Sequence, residues 1–474
     1  MKLAYFSPLP PQKSGISDYS EVLLPHLSNY YDIDLWVNET KIEESLSKNN
    51  HVIKYNSKTS YLEKLAEYDV ILYNLGNNPY YHTEMYEIFL KYPGIVILHD
   101  YVLYYLITGY YISHRNNCKE YLKEFYYNYG DVGIHFAKLV LRGPDSPLQY
   151  KNPERYPLIK RVIENAKGII IHSESTKNLL INQNSQNNKI VKINQVNYSN
   201  MNFSHSPHEI HDIRKKFKIN DGDILVSSFG YISHTKRNLQ IIEVINEILS
   251  SESYPIKYLM VGEGSYVDGL LNDNIMKTGY VPKKEFEKLI CCSDIVVNLR
   301  YPSMGETSAT LLQAMTAEKP CIVSNSAWFS ELPNNTVIKI TTNESKEKKE
   351  LKDALLSLIS DDFKKRELSQ KAHEYVLKYH DPSKIGMEMK EFINSCFFPK
   401  SDDFSELYLD INSHTLKEIG LLRFDDKFSK YYREINRERL RDLGFNNSQE
   451  QSLNSNIKKY NSPRSFIKGL FKIK

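Results

Sequence analysis

The sequence predicts an α/β protein made of two doubly wound, parallel-sheet domains. In both halves, short apolar runs rich in β-branched residues alternate with helical stretches, the pattern of parallel strands covered on both faces. Polar clusters stand where those runs end, and that is where such sheets place their ligands. A chain of 474 residues has material for two cores and more.

Leu3–Phe6 is the opening strand. Pro8, Pro10 and Pro11 in the loop after it forbid regular structure, and a helix follows over about Ile16–Leu27 with Ser17 or Asp18 as its cap. The loop holds Gly15 but no GxGxxG, so it is not a dinucleotide fingerprint. Further strands are predicted at Ile33–Val37, Val70–Tyr73, Ile95–Leu98 and Gly168–His172. Polar residues close three of them: Asn74–Asn78, His99 with Asp100, and His172 with Ser173. The aromatic-rich stretch after Asp100 predicts helices over Glu120–Asn128 and Val132–Leu141. Asn197–Ser206 is polar and aperiodic and reads as a linker, closing a first domain over 1–200.

The second domain, 207–380, repeats the scheme with strands at Ile224–Ser228, Tyr258–Val261, Ile295–Leu299, Cys321–Ser324 and Val337–Ile340. Lys236 and Arg237 follow its first strand at the start of a helix. Paired cations there suit a diphosphate, whose charge they neutralise, although solvated helix-start cations give the same pattern. After Ile295–Leu299, the loop Arg300–Gly305 delivers a helix beginning near Glu306 or Thr307, with Leu311, Leu312 and Met315 as its buried stripe. Free N–H groups and the helix dipole make such a start an anion site, which Gly305 would let the backbone approach. Glu306 and Thr307 as plain caps are the other reading. Gln313 shares a face with Glu306, roughly 10 Å along the axis, which suits a ligand with a phosphate at one end and hydroxyls along its length. Helices at Glu347–Ser360, Lys364–Leu377 and Ser383–Ser395 close the domain.

Residues 399–445 read as a charged helical extension, and 446–474 as a flexible linker and tail. In the tail, Phe466, Ile467, Leu470 and Phe471 share one helical face opposite Lys468 and Lys472. That pattern suits an anionic membrane surface or the protein's own surface.

A net charge of +3 gives no general polyanion affinity, so no nucleic-acid partner is predicted. The sequence opens directly into a strand without a secretory h-region, and no apolar run approaches the ~20 residues of a membrane span. Cys118, Cys291, Cys292, Cys321 and Cys396 show neither CxxC spacing nor a disulfide framework, which predicts a cytoplasmic protein. Asp32 with Asp34 and Asp221 with Asp223 match an Asp-x-Asp metal motif but lie at strand starts, so local capping is predicted and no metal or cofactor.

The stretch from Arg300 to Met315 resembles the signature of the group 1 (family four) retaining glycosyltransferases of GT-B fold, in the subgroup that carries Arg-x-Pro-x-x-Gly-Glu-x-Ser. Leu312-Gln313-Ala314-Met315 is similar to that family's Leu-Glu-Ala-Met helix, with Gln313 in place of the second Glu and Gly305 eight positions before it. Gly230 and Lys236 match the family's Gly-Arg…Lys, with Tyr231 in place of the Arg and Arg237 as a substitute charge. Gly262 and Gly264 resemble its strand-end turn, and Gly279 with Tyr280 its base-proximal segment. This order of motifs over about a hundred residues is the specific part of the match, which covers about 1–398.

The resemblance implies a nucleotide-sugar donor on the second domain, held by Gly230, Lys236, Arg237, Gly262, Gly279, Tyr280, Gly305, Glu306, Thr307, Ser308 and Gln313, with Gly15 approaching from the first. It implies an acceptor (glycan, lipid-linked or protein-linked) beside Asn77, Asn78, His82 and Asp100, and a return helix over about 383–398. His99 is the residue it points at the donor sugar, and His99, Lys236 and Glu306 are its catalytic candidates. No side chain stands out as a covalent nucleophile, so a metal-independent front-face substitution is the simpler mechanism. An inactive nucleotide-sugar-binding subunit and a GT-B nucleotide-sugar epimerase are the alternatives, and cell-surface polysaccharide or glycoconjugate synthesis is the implied setting. A lipid-linked acceptor would rationalise the tail and a peripheral position at the inner face of the membrane.

Overall fold

The computed structural model describes residues 1–397 except 39–41, 59, 184–188, 199, 200, 202 and 253. The predicted extension over 399–445, the linker and tail over 446–474, the last residue of the return helix and part of the 197–206 linker lie outside the described residues.

Two parallel sheets form among them. The first contains β1 (Lys2–Phe6), β2 (Asp32–Val37), β3 (His51–Lys54), β4 (Val70–Leu75), β5 (Ile95–Leu98), β6 (Gly168–Ile171) and β7 (Ile190–Lys192), in the order β3-β2-β1-β4-β5-β6-β7. The second contains β8 (Ile224–Phe229), β9 (Ile256–Val261), β10 (Ile275–Lys277), β11 (Ile295–Asn298), β12 (Cys321–Ser324) and β13 (Ile338–Ile340), in the order β10-β9-β8-β11-β12-β13. Each order reverses at its first strand, β1 and β8, which creates a crevice at the strands' C-terminal ends. The strands β3, β7 and β10 are absent from the sequence reading. Each is short and lies at a sheet edge, with polar residues such as His51, Lys54, Lys192 and Lys277 among the apolar ones.

Covering helices supply the cores. Phe6 stacks on Trp36 and Tyr73, with ring centroids 5.2 and 4.7 Å away, and all three are fully buried. In the second lobe, Ile241, Ile245 and Ile248 of helix Asn238–Ser251 spread along one face at helical spacing and are likewise fully buried. Each such side chain stabilises by about 1.5–3 kcal/mol relative to exposure. The two helices predicted around Gly130 are both present within Cys118–Arg142, separated by a kink at that glycine, whose φ of 61° and ψ of −145° are non-helical.

Helix Pro382–Phe397 returns to the first lobe and packs on helix Gly15–Leu27, where the absent side chain of Gly386 makes room for His26. The lobes are also joined across the crevice. Glu331, at the end of helix Ala327–Glu331, accepts from the backbone amides of Glu174 (2.9 Å) and Ser175 (2.7 Å), so a second-lobe carboxylate caps first-lobe helix Glu174–Gln183. Lys283 pairs with Glu21 at 2.9 Å, and the Lys13 ammonium lies 3.6 Å above the Tyr280 ring. Among the described residues, no helix is long and apolar enough to cross a membrane.

Candidate active site

The floor of the crevice in the second lobe is the turn after β8. Gly230 has φ +92°, and a Cβ there would collide with Lys236 Nζ, so only glycine lets the ammonium fold over the turn. Lys236 Nζ donates to the Phe229 carbonyl at 2.6 Å. Burial pushes its pKa well down; the Arg300 charge adds to this and the Glu306 carboxylate opposes it. Arg237, the other predicted cation, is used differently. Its guanidinium forks onto Glu347, with Nε 3.1 Å from both oxygens, and Glu347 is only 1% exposed. It ties the start of helix Asn238–Ser251 to helix Glu344–Ser360 and brings no spare charge to the crevice. Tyr231, beside the same turn, is 67% exposed.

The loop after β11 is built around Glu306. Its Oε2 accepts from Met304 N–H (2.6 Å) and Ser303 Oγ (3.2 Å), and its Oε1 lies 3.0 Å from Arg300 Nε. The carboxylate therefore closes its own loop instead of opening the helix, which starts at Ala309 and not at Glu306 or Thr307. Ser308 is the N-cap, accepting from Leu311 N–H at 3.2 Å while Asn298 donates to it at 3.1 Å. Thr307 donates to the side chain of Gln195 from the first lobe. Gly305, at φ +83°, meets Tyr101 and not open crevice: a Cβ there would collide with Tyr101 Cβ. Tyr101 and Val102 N–H both donate to the Met304 carbonyl, at 2.8 and 2.9 Å, and Thr176 Oγ1 donates to the Gly305 carbonyl at 2.9 Å.

These contacts leave a run of donors behind. Among the described residues, the backbone amides of Glu306, Thr307, Ser308, Ala309 and Thr310 have no partner. Thr310 lies beside Gly230 and Lys236, its Cγ2 4.0 Å from where a Gly230 Cβ would stand. One turn on, Gln313 is buried and its Oε1 has no hydrogen-bond partner.

The first lobe contributes the end of β5. Asn74 Nδ2 donates to the Phe6 carbonyl (3.2 Å), so its Oδ1 accepts from His99 Nε2 (3.1 Å). That network assigns the proton of the neutral ring to Nε2 and leaves Nδ1 as an acceptor. Burial, then His172 and His82, holds the His99 pKa well below its ordinary value. Behind it, the rings of Tyr19 and His172 stand 4.9 and 5.3 Å away, and Tyr19 Oη and His172 Nε2 are buried without partners. Asp100 Oδ2 accepts from Asn77 N–H at 2.7 Å. Its pKa is pushed up to about 7, first by burial and then by the Glu306 carboxylate; Asn77 N–H and Arg300 pull the other way.

The structure thus gathers His99, Asp100, Lys236, Glu306 and the start of helix Ala309–Thr316 around one crevice. It gives other predicted residues local tasks. Asn77 Oδ1 caps helix Tyr104–Thr108 through Tyr105 N–H (2.9 Å), and Asn78 caps helix Pro79–Lys91 through Tyr80 N–H (3.0 Å). His82 is buried with Nδ1 unpartnered, and burial pushes its pKa down to about 3. Gly262 sits against the Gly230 carbonyl, whereas Gly15 and Gly279 stand in open space. Asp34 of the Asp-x-Asp pair is tied to Lys2 and His51, each at 3.1 Å. Gln195, Thr176 and Tyr101 escape the sequence reading because each acts across the crevice on a partner more than a hundred residues away in the chain, which no local pattern reports.

Residues 209–375 match the family model of the group 1 glycosyl transferases. No curated protein matches the chain. HepE of Anabaena, in complex with UDP and glucose, is similar with a TM-score of 0.60 at 15% identity, over 83% of this chain and 100% of that one. A glycosyltransferase of Rickettsia africae is similar with a TM-score of 0.57 at 15% identity, over 84% and 100%. Sucrose-phosphate synthase of Thermosynechococcus elongatus is similar with a TM-score of 0.54 at 14% identity, over 84% and 99%. The fold is GT-B.

Proposed function

We propose that the chain is a retaining, metal-independent glycosyltransferase that moves a sugar from a nucleotide-sugar to an acceptor seated on the first lobe. The observation that carries this is the run of unpartnered amides from Glu306 to Thr310 beside the Lys236 ammonium. A diphosphate seated there meets N–H donors, a helix dipole and a cation in one water-poor corner. The family match over 209–375 covers all of these residues, and the UDP in the HepE complex is a ligand of the same chemistry.

In this reading, negative charge developing on the departing diphosphate is stabilised by groups already in place. Lys236, whose ammonium is disfavoured by burial, gains proton affinity from a diphosphate beside it. These donors supply the positive charge that a divalent cation brings in other transferases. His99 Nδ1 accepts from a hydroxyl of the donor sugar and steadies charge at the anomeric carbon. Gln313 Oε1 accepts from a ribose hydroxyl, which would satisfy its buried atom. The leaving diphosphate takes the acceptor's proton, and the new bond forms on the face the diphosphate leaves. Glu306 acts through the loop it closes, not by touching the sugar. Synthesis of a cell-surface glycan at the inner face of the membrane, with 464–474 as the contact, completes the reading.

Thermal unfolding with UDP, GDP, dTDP and ADP and their sugars, in EDTA, tests it. A ligand present at about 100 times its Kd stabilises by about 2.7 kcal/mol. A rise with one nucleotide family, absent in Lys236→Ala, is the expected result. No rise with any of them would overturn the donor site, and a rise only without EDTA would overturn metal independence.

A further inference from the structure

Outside the transfer crevice, the first lobe carries an open cleft of about 660 Å³ lined by Gln12, Asn38, Tyr80, Glu84, Ser113 and His114. It begins one residue beyond Asn78, and Tyr81 Oη, also on its wall, donates to the Lys13 carbonyl at 3.2 Å. The loop that carries Gln12 and Gly15 therefore borders it. We infer that this cleft is a carbohydrate-binding subsite, which holds the sugars of an oligosaccharide acceptor that lie beyond the one being extended. The inference rests on the glycosyltransferase reading and names its acceptor class.

The lining chemistry decides between ligands. Tyr80, 77% exposed in the first turn of helix Pro79–Lys91, offers a ring face to the C–H surface of a pyranose. Around it stand amides, a hydroxyl and a carboxylate: Gln12, Asn38, Ser113 and Glu84, with Glu84 accepting from Asn38. Such neutral donors and acceptors pair with vicinal hydroxyls. Among the described residues, no lysine or arginine lines the cleft, His114 on its wall is held 3.0 Å from Glu87, and the Lys58 charge acts on Glu84, so a phosphate would meet the Glu84 carboxylate with little positive charge to offset it. A lipid chain would find Pro79, Leu148 and the rings of Tyr80 and Tyr81 interrupted by Gln12, Asn38, Thr83, Glu84 and Ser113, with no continuous apolar wall. The cleft is also a built feature. Its far wall is a π-helical turn, Gly109–His114, and Gly109 is the residue on which Pro79 rests, since a Cβ there would collide with Pro79 Cβ. Single π turns recur at functional sites.

Saturation-transfer NMR with maltotriose, cellotriose and chitotriose tests this on the full chain, in wild type, Tyr80→Ala and Glu84→Gln, with UDP titrated into the same samples. At least one trisaccharide should bind wild type, weaken about fivefold to tenfold in Tyr80→Ala, and leave UDP affinity unchanged. Tyr80 is exposed, so folding of that variant is not at stake, and a matching melting curve checks it. Failure of all three sugars to bind, or equal binding by Tyr80→Ala, overturns the subsite. Tighter binding of trilysine than of any sugar overturns its carbohydrate class. Trisaccharide binding without UDP binding instead sinks the donor reading and leaves the cleft standing.

Discussion

Arg300 Nε stands 3.0 Å from Glu306 Oε1, and the two belong to a single loop that the carboxylate holds closed. The pair has two consequences. It fixes the loop whose amides are left unpartnered, and it sets opposite charges beside Lys236 and Asp100. Glu306→Ala leaves Met304 N–H without its acceptor and Arg300 without its counter-ion. A loss of about 1–3 kcal/mol in denaturant unfolding is expected, with lower turnover, whereas a surface role would leave both unchanged.

Lys236 and Arg237 are neighbours with different tasks. Arg237→Ala strands a buried carboxylate and is expected to cost about 3–5 kcal/mol of stability, read as a lower unfolding midpoint. Lys236→Ala is expected to keep most of the stability and to weaken nucleotide binding by about tenfold or more in titration calorimetry. The opposite assignment would give the opposite pattern.

His99→Ala should leave nucleotide affinity within about twofold and lower transfer or donor hydrolysis by about 100-fold, because only the sugar contact is removed. Asn74→Leu tests the tautomer: it removes the acceptor of the Nε2 proton and should lower the same rate while His99 stays in place.

Asp100 titrates near 7 in the fold against an ordinary value of 3.8. The folded state therefore holds its proton where the unfolded state has released it. The group's contribution is fully present below about pH 4 and is lost as pH rises towards and through 7. Asp100→Asn keeps an acceptor for Asn77 N–H and cannot titrate. The stability difference between wild type and this variant should drift against wild type from pH 4 to 7 and flatten above it, as read from denaturant melts.

Much of this architecture was legible in the chain. Runs such as Val70–Tyr73 and Cys321–Ser324 are short, rich in apolar residues and bounded by turn signals, the pattern of a buried parallel strand. The crevice residues were legible as polar ends of those strands, among them His99, Asp100 and Lys236. The helix after β11 starts two to three residues later than the sequence suggests, because Glu306 and Thr307 look like caps in sequence. Their side chains instead bind Met304 and Gln195, and the second of these lies 112 residues away. In sequence, Arg237 looks like a crevice or solvated cation for a similar reason: its partner Glu347 is 110 residues on. Local pattern gives residue type and periodicity, whereas the choice between two available partners is made by packing.

Glu331 gives the protein a built-in reporter. The amides of Glu174 and Ser175 find their acceptor only on the opposite lobe. Whenever the lobes part, those two hydrogens meet water, while the amides of β5 and β6 stay inside the first sheet. Their rate of deuterium uptake, measured against that sheet as an internal clock, counts the fraction of time the crevice stands open.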